Sequence, residues 1–356
     1  MTEGVKRVAV VPGDGIGPEV IEEAVGVLDA LGGTHGVRLE LEHFDWGADK
    51  FLSEGVSLPE GALGMLASEF DAILSGAFGD PRVPSNQHAE DILMGMRRGL
   101  DLYINMRPVR LLNERLTPLK GRAVEDVDFV VFRENTEGAY TGMGGFLKRG
   151  TPDEVATQEE INTRKGVERI VVAAFEYARS RGRKKVTMCD KSNVQRFGGD
   201  LWQRVFKEVA ARYDGIEANH QYVDAAAMFM VLNPAQYEVV VTNNLFGDIL
   251  TDLGAALQGG LGLAASGNIH PGRVSLFEPV HGSAPPLAGQ NKANPAGAIL
   301  SAALMLEYLG HAAAAAAVES AVRDSIAAGD TTRDLGGSLS TREAGEKIRK
   351  AVNRKP

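Results

Sequence analysis

The chain has one cysteine in 356 residues, Cys189, so an internal disulfide framework is excluded. A lone thiol beside apolar neighbours is most often a small core residue. Long apolar runs are also missing. Even residues 312–318 fall well short of the roughly 20 residues that span a bilayer. The start, Met1-Thr2-Glu3-Gly4-Val5-Lys6-Arg7, leads into a strand-like run without the apolar core of a secretion signal, which makes the cytoplasm the expected address. Basic charge is in deficit too: 38 Lys and Arg stand against 47 Asp and Glu, and a net charge of −9 argues against a polyanion binder. No repeat of fixed period occurs.

What is present fits a globular chain long enough for two large cores. Strand-like runs at residues 8–11, 38–41, 72–74, 129–132, 186–188 and 239–241 alternate with stretches of helical period, an α/β pattern. Helices are expected over 18–31, with Pro18 in the first turn, over 159–180, and over 294–309, where Pro295 follows an Asn cap. The alanine run at 312–317 reads as helix. The glycine-rich segment from Tyr140 to Gly150 suits either an arm leaving the body or a plain surface loop.

The sharpest local signal is Asn244-Leu245-Phe246-Gly247-Asp248-Ile249-Leu250-Thr251-Asp252, which follows the strand-like run 239–241. If this stretch is helical, Asp248 and Asp252 lie one turn apart on one face. A solvated helix tolerates such a pair at a cost of a few tenths of a kcal/mol, whereas a divalent cation between the carboxylates turns their repulsion into binding. Arg97, Arg107 and Arg133 come from separate places, and Arg133 ends a buried strand. Converging guanidinium groups suit a small substrate with more than one carboxylate. Tyr140 and Lys191 are candidate proton-transfer groups. Gly13-Asp14-Gly15-Ile16-Gly17 lies where a phosphate loop would sit, but it lacks the dinucleotide spacing, so an ordinary Rossmann domain is rejected. The polar loop Glu278-Pro279-Val280-His281-Gly282-Ser283-Ala284-Pro285, with Asn294-Pro295 beyond it, suits a ligand.

Together these motifs resemble the β-decarboxylating hydroxy-acid dehydrogenases, the isocitrate/isopropylmalate dehydrogenase family, over nearly the whole chain. The match runs from residues 13–19 through Arg133-Glu134-Asn135-Thr136-Glu137-Gly138, Asp190-Lys191-Ser192-Asn193, residues 244–252 and 278–285 to Asp334-Leu335-Gly336-Gly337. The resemblance implies the two-domain fold of that family. Residues 1–102 and 258–356 would form a first, cofactor-binding domain, and residues 103–257 a second with the dimer interface and an arm near 140–165. It further implies that Arg97, Arg107 and Arg133 bind substrate carboxylates. Asp248 and Asp252, with Asp224 of a neighbouring subunit, would hold Mg²⁺ or Mn²⁺. Tyr140 and a partner's Lys191 would move protons, while Asn193, Glu278, His281, Gly282, Ser283, Ala284 and Asn294 would bind NAD. The expected assembly is a homodimer with shared active sites that acts on a small 2-hydroxy diacid.

Substrate choice in this family looks set by the stretch before Arg97. Glu90, Leu93 and Met94 resemble the isopropylmalate branch, in which an acidic residue and two apolar side chains face a branched alkyl group. The residues from Arg133 to Gly138 look more like the tartrate and isocitrate branches. The expected reaction is therefore oxidative decarboxylation of 3-isopropylmalate with NAD, with a D-malate or tartrate-type substrate as the alternative, then isocitrate or homoisocitrate. Pro286-Leu287 stands where relatives carry their NAD or NADP determinants, which leaves NADP open. Non-catalytic regulatory relatives lose proton-transfer or metal groups. This chain keeps Tyr140, Lys191, Asp224, Asp248 and Asp252.

Overall fold

The computed structural model describes residues 4–353, so the Met1-Thr2-Glu3 start of the N-terminal stretch lies outside the described residues. Twelve strands occur among those residues, in chain order β1 (Lys6–Val11), β2 (Leu39–His43), β3 (Ala72–Ser75), β4 (Ile104–Arg110), β5 (Asp128–Glu134), β6 (Gly144–Leu147), β7 (Val155–Gln158), β8 (Lys185–Asp190), β9 (Glu217–Tyr222), β10 (Val239–Thr242), β11 (Ala265–Ile269) and β12 (Ser275–Pro279). The helices are α1 (Gly17–Thr34), α2 (Ala48–Glu54), α3 (Ala62–Glu69), the short α4 (Gln87–Ala89), α5 (Gly95–Gly99), α6 (Arg164–Ser180), α7 (Arg196–Ala210), α8 (Val223–Leu232), α9 (Asn244–Gln258), α10 (Ala296–Tyr308), α11 (Ala312–Ala328) and α12 (Thr341–Val352).

The chain divides into two compact units. One comprises Met1–Leu102, Leu111–Val124 and Ala255–Pro356, and the other Tyr103–Arg110 and Glu125–Gly254. The segment Leu111–Val124 belongs to the first unit, although the expected boundaries put it in the second domain. The reason is visible at Arg115, whose guanidinium donates to the carbonyls of Leu335 (2.8 Å) and Ile326 (2.9 Å).

The first unit orders its strands β2-β1-β3-β12-β11, all parallel except the β11/β12 pair. Parallel strands are covered on both faces, which is why β1 over residues 8–11 and β3 over residues 72–74 are continuous apolar runs. Helix α10 lies against β11 and β12 and is itself flanked by α1 and α11. It is buried nearly all round, from Ala296 to Leu306, as expected of a helix apolar on every face. A second cluster joins Ala9, Val11, Leu66 and Ile73 to Ile92 and Met96, so the stretch before Arg97 is anchored in core.

The second unit orders its strands β4-β5-β10-β8-β9, parallel except for β4/β5. Helix α6 covers β5, β8 and β10. It starts at Arg164, not at residue 159, because the Thr163 hydroxyl accepts from the Gly166 amide (3.0 Å) and caps the first turn. In the stretch from Tyr140 to Gly150, strand β6 forms an antiparallel ribbon with β7. Phe146 and Leu147 on it are exposed. No helix among the described residues is long and apolar enough to cross a membrane.

Candidate active site

In the second unit, Arg133 is the penultimate residue of β5 and lies beside Thr242, the last residue of β10. The carboxyl ends of parallel strands are where such sheets place ligands. Helix α9 starts directly after β10, and the Asn243 side chain caps it by accepting from the Phe246 amide (2.8 Å). Arg133 is only 1% exposed, and a charge so deeply buried needs close partners. Its Nε donates to the Asn244 Oδ1 (2.9 Å) and its Nη1 to the Asp248 carboxylate. Gly247 permits this. A Cβ there would lie 2.5 Å from the Arg133 Cγ and 2.6 Å from its Cβ.

Asp248 gathers the other groups. The Tyr140 hydroxyl donates to its Oδ2 (2.7 Å), and the Arg107 Nη1 lies 3.5 Å from its Oδ1. Arg107 also donates to the Thr251 hydroxyl (2.7 Å) and stands 4.0 Å from the Asp252 carboxylate. Burial alone would push the Asp248 carboxyl up, but Arg133, the Tyr140 hydroxyl and Arg107 together hold it below the usual carboxylate range. Asp252 is raised instead, by burial and by the charge of Asp248. Burial and the bond to Asp248 also raise the Tyr140 phenol.

Lys191 follows β8, and its ammonium donates to Asp224 Oδ1 (2.6 Å) at the start of α8. That bond holds Asp224 below the usual carboxylate range. Asp224 does not join Asp248 and Asp252: no group of three His, Cys, Asp or Glu side chains able to hold a metal occurs among the described residues. Asn193 is exposed in the turn after Lys191. Cys189, just before, is buried, and its thiol is pushed far above the ordinary range by that burial.

In the first unit, the stretch before Arg97 is not a plain α-helix. Residues Glu90–Met94 form a π-helical turn that leads into α5. Glu90 is exposed, and Leu93 and Met94 are half-buried. Arg97 is buried and donates to Glu278 Oε1 (3.0 Å), which also accepts from Asn268 (2.8 Å). Around the polar loop, the Ile16 amide donates to the Ser283 carbonyl (2.8 Å), and the Ser283 hydroxyl donates to the Gly79 carbonyl (2.6 Å). Gly282 is exposed, while Ala284 takes a left-handed backbone conformation (φ 41°). The buried His281 Nε2 has no hydrogen-bond partner among the described residues, and burial lowers the pKa of its ring. The N-cap of α10 is Pro295, not Asn294; the Asn294 Oδ1 accepts from the Ala296 amide (3.0 Å) and its Nδ2 donates to Asp334 (2.9 Å).

Reading the sequence by residue type missed Asn244 and Thr251, which hold the arginines, as well as Asn268, Asp14 and His88. Asn244 and Thr251 were visible only as members of the 244–252 motif. Asp14 had a faint signal in lying between Gly13 and Gly15, which both adopt positive φ (72° and 61°).

The chain belongs to the isocitrate/isopropylmalate dehydrogenase family, whose model matches residues 7–348. Among its relatives, the 3-isopropylmalate dehydrogenase of Thermobifida fusca is 50% identical over 97% of this chain and 97% of its own. The enzyme of that name from Streptomyces griseus is 49% identical over 94% and 98%. The crystal structure of isocitrate dehydrogenase from Methylococcus capsulatus is similar at a TM-score of 0.89 and 37% identity, covering 98% of this chain and all of that one.

Proposed function

We propose that the chain oxidatively decarboxylates 3-isopropylmalate, with NAD as hydride acceptor and Mg²⁺ or Mn²⁺ as the metal. The observation that carries this is the convergence of Arg107, Arg133 and Tyr140 on Asp248, one helical turn from Asp252. Its relatives' names support 3-isopropylmalate over the D-malate, tartrate and isocitrate alternatives.

The donor set fits a hard divalent cation: two carboxylates share a face, and burial, then the charge of Asp248, pushes the Asp252 carboxyl up. Asp248 and Asp252, with Asp224 of a second copy, would hold the ion. Bound there, it would draw electrons from the substrate's hydroxyl-bearing carbon and favour loss of CO₂. NAD, the hydride acceptor, would lie against the loop from His281 to Ala284, where an orphaned ring nitrogen fits a ligand with a polar group. Asn193, Glu278 and Asn294 complete the assignment.

The proposed roles of the side chains follow from their chemistry. Arg97, Arg107 and Arg133 bind the two carboxylates as bidentate forks. Glu90, Leu93 and Met94 border the alkyl group. Lys191 of a second copy, as the neutral amine, would take the hydroxyl proton on its Nζ, and the Tyr140 hydroxyl would return a proton to the carbon that loses CO₂. A homodimer is supported by apolar side chains left open on the second unit, with Phe197 94% exposed and Met228, Leu232 and Ile249 beyond one-third exposed. The expected location is the cytoplasm.

A panel of 3-isopropylmalate, D-malate, tartrate and isocitrate with NAD or NADP and either metal tests the reading. We expect kcat/KM for 3-isopropylmalate to exceed that for D-malate by roughly 10- to 1000-fold, since each methylene in an apolar pocket gives about 1 to 3 kcal/mol of discrimination. Faster turnover of D-malate or tartrate would overturn it.

A further inference from the structure

The stretch that carries Glu90, Leu93 and Met94 has little in its own backbone to fix it. It is entered through Ser85 and Asn86, two consecutive non-glycine residues at positive φ (58° and 51°). It continues as the π-helical turn Glu90–Met94, a form rarely stable on its own. Its position therefore depends on side chains that tie it to the rest of the unit. The Ser57 hydroxyl donates to Asp91 (2.9 Å), and Ile92 sits in core.

The most deeply placed tie is His88. Its side chain is 0% exposed, and its Nε2 meets Asp14 Oδ2 at 2.7 Å. A carboxylate only accepts, so the ring donates through Nε2. The opposite nitrogen, Nδ1, is buried without a partner among the described residues, which leaves the bond to Asp14 as the one polar link of this ring among them. Asp14 in turn accepts from the Ala48 amide (2.7 Å) and the Gly79 amide (2.8 Å). It belongs to the loop 13–17 that is bonded through Ile16 to Ser283. A single side-chain contact thus joins the loop cluster around Ser283 to the segment before Arg97.

We propose that His88, through Asp14, is a positioning residue that sets the 87–94 segment against the loop cluster and so governs substrate discrimination. This rests on the reading of Glu90, Leu93 and Met94 as the alkyl pocket. Neither ring nitrogen needs to touch substrate. What matters is a donor at the reach of Nε2, which glutamine can supply and asparagine, being shorter, cannot.

The test uses the full-length enzyme with NAD and Mg²⁺ and the variants His88→Gln, His88→Asn and His88→Leu. KM for substrate, the 3-isopropylmalate to D-malate ratio of kcat/KM, and the melting temperature are measured for each. We expect Asn and Leu to raise KM and compress the ratio, each by about 10-fold, while Gln stays within about 3-fold of wild type even if its melting temperature falls with theirs. Equal ratios and KM values in all four proteins would overturn the proposal, as would Gln failing alongside the other two. Misfolding of all three variants would also overturn it, by making the pair a determinant of folding. If the wild type prefers another diacid, only the alkyl-pocket reading falls. The Gln-against-Asn comparison on that diacid then decides the positioning role.

Discussion

Replacing Gly247 with alanine sets two effects of known size against each other. Gly247 lies inside α9, where alanine is favoured over glycine by about 1 kcal/mol. The new Cβ, however, would come within 2.5 Å of Arg133 Cγ and 2.6 Å of its Cβ. Carbon atoms rest near 3.5 to 4.0 Å, so one side must retreat by about 1 Å. Arg133 is poorly able to do so. Its backbone pairs with Asn105 on one side and Thr242 on the other, and its side chain is buried. The helix must therefore move, at about 1 to 3 kcal/mol for overpacking, and strain exceeds the propensity gain. We expect Gly247→Ala to lower stability by about 0.5 to 2 kcal/mol, read from the urea midpoint at constant m. Because Asp248 rides on the same turn, kcat should fall by at least about 10-fold. Gly26→Ala serves as the control: it lies mid-helix in α1 with only Arg349 Cδ near, at 3.7 Å, so about 0.5 to 1 kcal/mol of stabilisation is expected. A Gly247→Ala enzyme as stable and active as wild type would refute the steric argument.

Three further outcomes can be checked. Asp248→Asn should weaken Mg²⁺ or Mn²⁺ binding and cut turnover strongly, and undiminished activity at limiting metal would remove Asp248 from the ligand set. Tyr140→Phe should spare hydride transfer more than overall turnover, because its proposed proton transfer follows decarboxylation; equal loss at both steps in single-turnover experiments would indicate a positioning role instead. Glu23, packed where a Cβ on Gly345 would lie 2.0 Å from its Oε2, has its carboxyl pushed up to about 7, mainly by burial and then by Glu22. The unfolded chain gives up this proton near pH 4.5, so the folded state holds more protons between about 4.5 and 7 and stability falls as pH rises through that window. Discounted for a partly exposed group, the loss is about 1 kcal/mol, and Glu23→Gln should remove that slope from urea unfolding curves measured across it.

The sequence alone determined the elements whose cause is local. Buried parallel strands such as β1, β3 and β10 carry apolar runs at residues 8–11, 72–74 and 239–241 and were legible as such. The spacing of Asp248 and Asp252 placed both on one helical face, and the motif order along the chain pointed to the family. The tertiary structure decided what depends on distant partners. Strand β11, Ala-Ser-Gly-Asn-Ile, alternates non-polar and polar residues yet is wholly buried, because β12 pairs with it, α10 packs against it and Asn268 donates to Glu278. The turn at Glu90–Met94 is π-helical, with Ile92 and Met96 drawn into a core shared with β1 and β3. The Arg133 guanidinium is buried because a glycine in α9 leaves room for it. Asp14 and His88 stand 74 residues apart, and no periodicity in a chain encodes a hydrogen bond over that separation. Local propensity and pattern act over one or two turns of chain, whereas burial and side-chain pairing arise only once the layers have packed.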